Sequence, residues 1–259
     1  MDPNQIIGMG VDAYNALDNE SKHALTYPAA KTLGLAADGL ISIFCYPFLQ
    51  ARIFTQARLK QYQEETAAKI NKIPEKNRDS SKLGLVIKAI EESRYQLNED
   101  DIRHMYVNLI ASTVDNRKNK AVNPRLATVV SQLGSNEANF LKIFYQQLNH
   151  QIPFGYLTTK IPNSISTKTA SHYLLSIDDG TYLANQETSI DILSSLGIID
   201  VHTSSWLSSE YYKSRYQTIE DVLKKDNNYS VNKDENLKLN KCYLKFNSFG
   251  ESLGHCIFE

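Results

Sequence analysis

Apolar residues recur at steps of three and four through the first half of the chain, the spacing of amphipathic helices. The clearest case is residues 98–115. There Ile102, Met105, Tyr106, Leu109, Ile110 and Thr113 make a wide stripe, which predicts a helix buried against at least two others. Asn98 is the expected N-cap, with Asp101 at the third helical position. Glu99, Asp100 and Asp101 place negative charge where the helix dipole favours it. Leu109, at the stripe's centre, should be almost fully buried, and Asn108 exposed. A long helix is expected from about Phe48 to Lys72, apolar at its start and polar beyond, ended by Pro74. A charged, turn-rich linker follows. A short helix over 82–93 should turn Leu83, Val86, Ile87 and Ile90 inward. Asn123 caps a helix started by Pro124, with Leu126, Val129, Val130 and Leu133 buried. Gly134 and Ser135 stop it and open another, which buries Phe140, Leu141, Phe144, Tyr145 and Leu148.

From Gln151 the texture changes. Residues 151–185 are rich in Ser, Thr, Gly and Pro, and the pattern predicts irregular structure with one or two short elements. A helix over 186–197 ends at Gly197, and residues 198–205 read as a strand. A further helix is expected over 211–225, then a polar loop. Residues 237–246 alternate as a strand, and a short helix closes the chain. Helix, helix, strand, loop, strand, helix is a winged-helix layout. The predicted fold is therefore mainly α: a helical bundle over 1–135, then a winged-helix-like α+β domain over 136–259. Irregular insertions are expected at about 151–185 and 204–238.

At 259 residues the chain is long enough for one large domain or two small ones. Its net charge of −1 gives no global drive toward nucleic acid. The two predicted domains carry +2 and −3, so neither has the basic bias of a nucleic-acid binder. Three cysteines, Cys45, Cys242 and Cys256, are too few and too far apart for a disulfide framework or a Cys-rich zinc site. The opening MDPNQIIGMG lacks the positive n-region and apolar run of a signal peptide, and a cytoplasmic location is expected.

Catalytic signatures are missing from the sequence. No two of the six histidines have metal-ligand spacing on one helix, and there is no HExxH. There is no Walker A loop and no GxSxG. No Arg is followed five to seven residues later by a His, as ribonuclease toxins require. GMGVDA, residues 8–13, resembles part of a nucleotide-binding loop, but too little chain precedes it and Ala13 replaces the third glycine. The acidic pairs Glu64/Glu65, Glu91/Glu92 and Asp100/Asp101 diverge by about 100° on a helix and do not converge on one site. Asp178 and Asp179 before Gly180 read as a turn. No catalytic, cofactor or metal residue is expected.

Two surfaces remain. From Leu33 to Leu49 the only charge is Asp38. Leu33, Leu40, Ile41, Phe44 and Phe48 are a candidate partner or membrane surface, or a buried helix of the bundle. Arg117, Lys118 and Lys120 make the best phosphate-contact patch. The helix over 186–197 carries Glu187 and Asp191 and no Lys or Arg, which favours protein contact over DNA reading.

Three stretches resemble the abortive infection alpha family of bacterial proteins. Residues 89–115 are similar to its acidic lead into a long helix. Residues 123–141 are similar to its proline-started helix followed by Leu-Ser-x-x-Glu-Ala, with Gly134 where Ser is usual. Residues 241–258 are similar to its closing Leu-Thr-x-x-Gly-x-x-Phe, with Phe246 and Asn247 at the first two places and Gly250 retained. The resemblance implies a role in defence against phage and brings no active site. The expectation is a non-enzymatic sensor or interaction module binding a protein partner, either a phage component or another copy of the chain. The alternatives are a membrane-acting effector using 33–49 and a winged-helix nucleic-acid-binding regulator.

Overall fold

A computed structural model describes residues 48–50, 52–53, 55–161, 165–225 and 237–259. Leu33, Leu40, Ile41, Phe44, Cys45, the glycine loop at 8–13 and most of the loop after residue 225 lie outside the described residues. The chain is helix-rich with an antiparallel sheet in its C-terminal part. It divides into two units, residues 1–135 with 255–259, and residues 136–254.

The first unit contains α1 (Gln56–Asn71), α2 (Leu83–Ser93), α3 (Asp100–Thr113) and α4 (Arg125–Val130). The expected continuous helix from Phe48 is interrupted. Residues 48–50 are helical, Arg52 adopts φ 58°, and α1 starts afresh. Thr55 causes the restart, because its hydroxyl accepts the Arg58 N–H and caps a new first turn. The α3 stripe is buried as expected, with Leu109 only 2% exposed. The predicted cap is not formed. Glu99 precedes the helix without a side-chain cap bond, and Asn98 instead donates to the Ile53 carbonyl. Arg103, Val107, Ala111 and Ser112 are buried too, so α3 is enclosed well beyond its apolar stripe. The last residues of the chain share this enclosure. Asn108 and Ser112 donate to the carbonyls of Ile257 and Cys256 at 2.8 and 2.9 Å. Asn108 is thereby half-buried, not exposed as its position on the helix suggested. Asn123 Oδ1 accepts the Arg125 N–H ahead of α4, close to its predicted role.

The second unit runs α5 (Ser135–Tyr145), β1 (Gln151–Lys160), β2 (Thr167–Thr169), β3 (Leu174–Ser176), β4 (Tyr182–Ala184), α6 (Glu187–Ser195), β5 (Ile199–His202), α7 (Glu210–Lys225), β6 (Lys238–Phe246) and α8 (Ser248–Ile257). The sheet order is β4-β3-β1-β6-β5, with β2 also on β1. Residues 151–185 are therefore not irregular. They supply the ten-residue strand β1 and the hairpin β3–β4. β1 pairs with β6 from Gln151↔Lys245 to Thr158↔Lys238. Its sequence hid this because it is buried on both faces, so no apolar/polar alternation marks it. The strands predicted over 198–205 and 237–246 form as β5 and β6, the first shorter than expected, and pair with each other. Gly197, at φ 69°, ends α6 as expected. Leu148 departs from its predicted burial and is 48% exposed. Asn247 caps α8, accepting the N–H groups of Phe249 and Gly250.

Candidate functional site

In the second unit α7 lies on the sheet through Tyr212, Tyr216, Ile219 and Leu223, spaced four, three and four residues apart. They join Leu157, Leu174 and Leu239 in one apolar cluster. Positions a step off this stripe carry the notable surface chemistry. Tyr211 is 45% exposed, with the Arg215 guanidinium 4.8 Å from its ring centre. Both are held by Asp178, which accepts the Tyr211 hydroxyl and pairs with Arg215 at 2.9 Å each. The other oxygen of Asp178 accepts the Leu148 N–H at 2.6 Å. Asp178 does sit in the tight turn its sequence predicted, with Gly180 at φ 84°. It also ties the β3–β4 turn, α7 and the segment after α5 together. Burial, and then the Asp178 hydrogen bond, push the Tyr211 phenol above its ordinary value, so it stays a donor at neutral pH.

Trp206, just before α7, is 41% exposed. It stands edge-on to Tyr216 at 5.8 Å, and Lys241 Nζ lies 4.9 Å from its ring centre. Trp206 and Tyr211 are thus exposed rings whose neighbours fix them, and the exposed Leu148 is tied through its backbone, its N–H to Asp178 and its carbonyl to the Tyr212 hydroxyl. Such a surface is chemically adhesive. The sequence reads Leu148 as buried and marks neither Trp206 nor Tyr211, because both rings become notable only once α7 is seated on the sheet.

A second polar corner joins His150 Nδ1 to Glu251 at 2.6 Å, with Tyr145 stacked on the imidazole at 4.4 Å. Asn149 and His150 both have left-handed backbones, φ 54° and 48°. The pair links the start of β1 to α8.

The residues nominated from sequence are spread over other roles. Phe48 meets Tyr95 edge-on at 5.2 Å and lies under Arg94. Arg117 is turned back on Asp115, and Lys118 donates to the His255 carbonyl at 2.7 Å. Lys120 is exposed. Two of the three basic side chains are therefore engaged within the protein. The strongest charge cluster is internal to the first unit. Arg103 is 1% exposed and pairs with Glu65 at 3.2 Å and Asp100 at 2.6 Å. It also donates to the Leu97 carbonyl, and Arg58 reaches the same Asp100 oxygen. Three acceptors satisfy this guanidinium, which makes it a clamp between α1 and α3. Burial pushes the Cys242 and Cys256 thiols up to about 11, so few thiolates are present at neutral pH. Among the described residues no group of three His, Cys, Asp or Glu is placed to hold a metal. No helix among them is long and apolar enough to cross a membrane.

A family model described as "Abortive infection alpha" matches residues 54–257. The chain belongs to the abortive infection alpha family. No curated protein and no solved structure matches it significantly. The match takes in both units, and so spans the Arg103 clamp and the α7 surface alike. Two of its recognisable residues gain a physical role here: Asn247 caps α8, and Gly250 faces the Ile198 carbonyl.

Proposed function

We propose that this abortive infection alpha protein defends bacteria against phage as a cytoplasmic, non-enzymatic interaction module. Its second unit docks a protein partner beside α7. The exposed, braced rings of Trp206 and Tyr211, with the exposed Leu148, carry the reading. Trp and Tyr dominate the binding energy of protein interfaces, and rings already held by Lys241 and Asp178 lose little freedom on docking. The antiparallel pairing of β5 with β6 after α6, with α7 between the two strands in the chain, supports a winged-helix-like use of this unit. Since α6 holds Glu187 and Asp191 and no Lys or Arg, that use is protein contact and not base reading. The partner is a phage protein or a second copy of the chain.

The test is expression in a phage-sensitive bacterium, scored by plaque formation, with affinity purification from infected and uninfected cells. The native chain should reduce plaques, and Trp206→Ala with Tyr211→Ala should abolish both protection and partner recovery while the purified variant stays folded. Protection undiminished in that double variant would remove the α7 surface from the mechanism. No protection by the native chain against a broad phage panel would remove the defence reading itself. A second reading, a membrane-acting effector, draws on the run from Leu33 to Leu49 with its single charge, Asp38. Vesicle flotation decides that version, and protein left wholly in the soluble fraction defeats it.

A further inference from the structure

On the second unit, between the start of α5, the end of β4 and the start of α6, lies a half-open cleft of about 210 Å³. The half-buried Ile143 and Leu183 give it a narrow apolar wall, backed by the buried Phe140, and its rim carries Asn136, Asn139, Asn185 and Gln186. The cleft is below the roughly 300–1,000 Å³ of pockets for drug-sized ligands, which limits its occupant to a small ring system. The Asn136, Asn139 and Asn185 carboxamides make no hydrogen bond to the described protein. Asn185 is set at the rim by a left-handed backbone, φ 57°, a conformation Asn tolerates better than most residues. Gln186 spends one amide N–H on the Ala184 carbonyl, leaving its oxygen as an acceptor. Ser189, also in the lining, spends its hydroxyl proton on Glu137 and keeps its lone pairs.

We propose that this cleft binds an uncharged purine base or nucleoside, independently of the α7 surface. A carboxamide presents a donor and an acceptor in one plane, the arrangement with which Asn and Gln read purine edges. The half-buried Ile143 and Leu183 give one edge of the flat ring an apolar contact. The electrostatics select against an anion. No Asp, Glu, Lys, Arg or His lines the cleft. The two helix starts that open onto it already hold a carboxylate each, Glu137 and Glu187, which offset the dipoles that would otherwise attract phosphate. Both carboxylates are anchored, Glu137 by Ser189 and Glu187 by the Tyr173 N–H at 2.7 Å.

The full-length chain is titrated calorimetrically with adenosine and guanosine, with ribose and adenosine monophosphate as comparators. One of the nucleosides should bind with a Kd below about 1 mM, ribose should not bind, and the monophosphate should bind more weakly than adenosine. The paired variant Asn139→Ala, Asn185→Gly should weaken nucleoside binding at least tenfold with an unchanged circular dichroism spectrum. Asn139 is an exposed helix position, and glycine accepts the backbone of residue 185, so the fold survives both changes. The proposal is overturned if neither nucleoside binds at millimolar concentration, if the variant binds as well as the native chain, or if the monophosphate binds more tightly. Side-chain amide signals that respond to a neutral peptide and not to the nucleosides would make the cleft a peptide groove and overturn it equally.

Discussion

The same substitution at two helical glycines should have opposite signs. Gly250 lies in α8, and a Cβ built there would meet the Ile198 carbonyl oxygen at 2.1 Å and a Phe246 ring carbon at 2.8 Å. To restore an ordinary separation, α8 or the Ile198 backbone must move by about 1 Å. Ile198 cannot shift freely, because its carbonyl accepts the Asn247 N–H at 3.2 Å and Asn247 in turn caps α8. Overpacking typically costs about 1–3 kcal/mol, and a collision with backbone puts this case near 3. Helix propensity works the other way, Ala over Gly being worth up to about 1 kcal/mol. The net for Gly250→Ala is a loss of about 2 kcal/mol. Gly84, near the start of α2, has nothing within 4 Å of its built Cβ. There propensity acts alone, and Gly84→Ala should stabilise by about 0.5 kcal/mol. Urea unfolding of the two variants beside the native chain reads both signs. A Gly250→Ala protein as stable as the native chain would refute the close approach of α8 to Ile198.

Leu109→Ala should leave a cavity and cost roughly 2–5 kcal/mol, whereas Asn108→Ala should cost about 1 kcal/mol by releasing the Ile257 carbonyl. Equal thermal shifts for the two would show that α3 is faced wrongly. Arg103→Ala should cost about 3 kcal/mol, the low end for breaking a buried ion pair, because Glu65 and Asp100 can both reach water. The same site gives a pH signature. Burial works to raise the Glu65 carboxyl, but the hydrogen bonds from Arg103 and Gln61 and the Arg103 charge outweigh it and hold it below its ordinary 4.5. A lowered folded value means stability that is complete above the ordinary value and lost as pH falls from there through the folded one. The native chain should therefore lose stability below about pH 4.5 more steeply than Arg103→Ala, as followed by acid titration of circular dichroism.

Much of the architecture was legible locally. The α3 stripe, the Asn123 start of α4, the Gly197 stop and the alternating strand β6 all rest on residues within a turn or two of one another, and each formed. Apart from the local restart of α1 at Thr55, the departures trace to partners distant along the chain or to burial on two faces. Nothing local marks Arg103 as a buried charge; its role appears only when α1 brings Glu65 beside it, 38 positions away. Asn108 reads as exposed until Ile257, 149 positions on, presents its carbonyl. β1 reads as an irregular segment because a strand covered on both faces has no alternation to betray it. The α7 surface was invisible for the same reason: Trp206 and Tyr211 are ordinary aromatic residues until Lys241 and Asp178 arrive from other elements to brace them.

The sequence alone determined where most helices start and stop and which family the chain resembles, because capping, periodicity and motif spacing are properties of neighbouring residues. Tertiary structure alone decided that residues 151–185 build the middle and one edge of a sheet, that Arg103 is a clamp, and that four carboxamides rim one cleft. The physical reason is that burial, ion pairing and convergence depend on partners distant along the chain, and no local pattern encodes which distant residue will arrive.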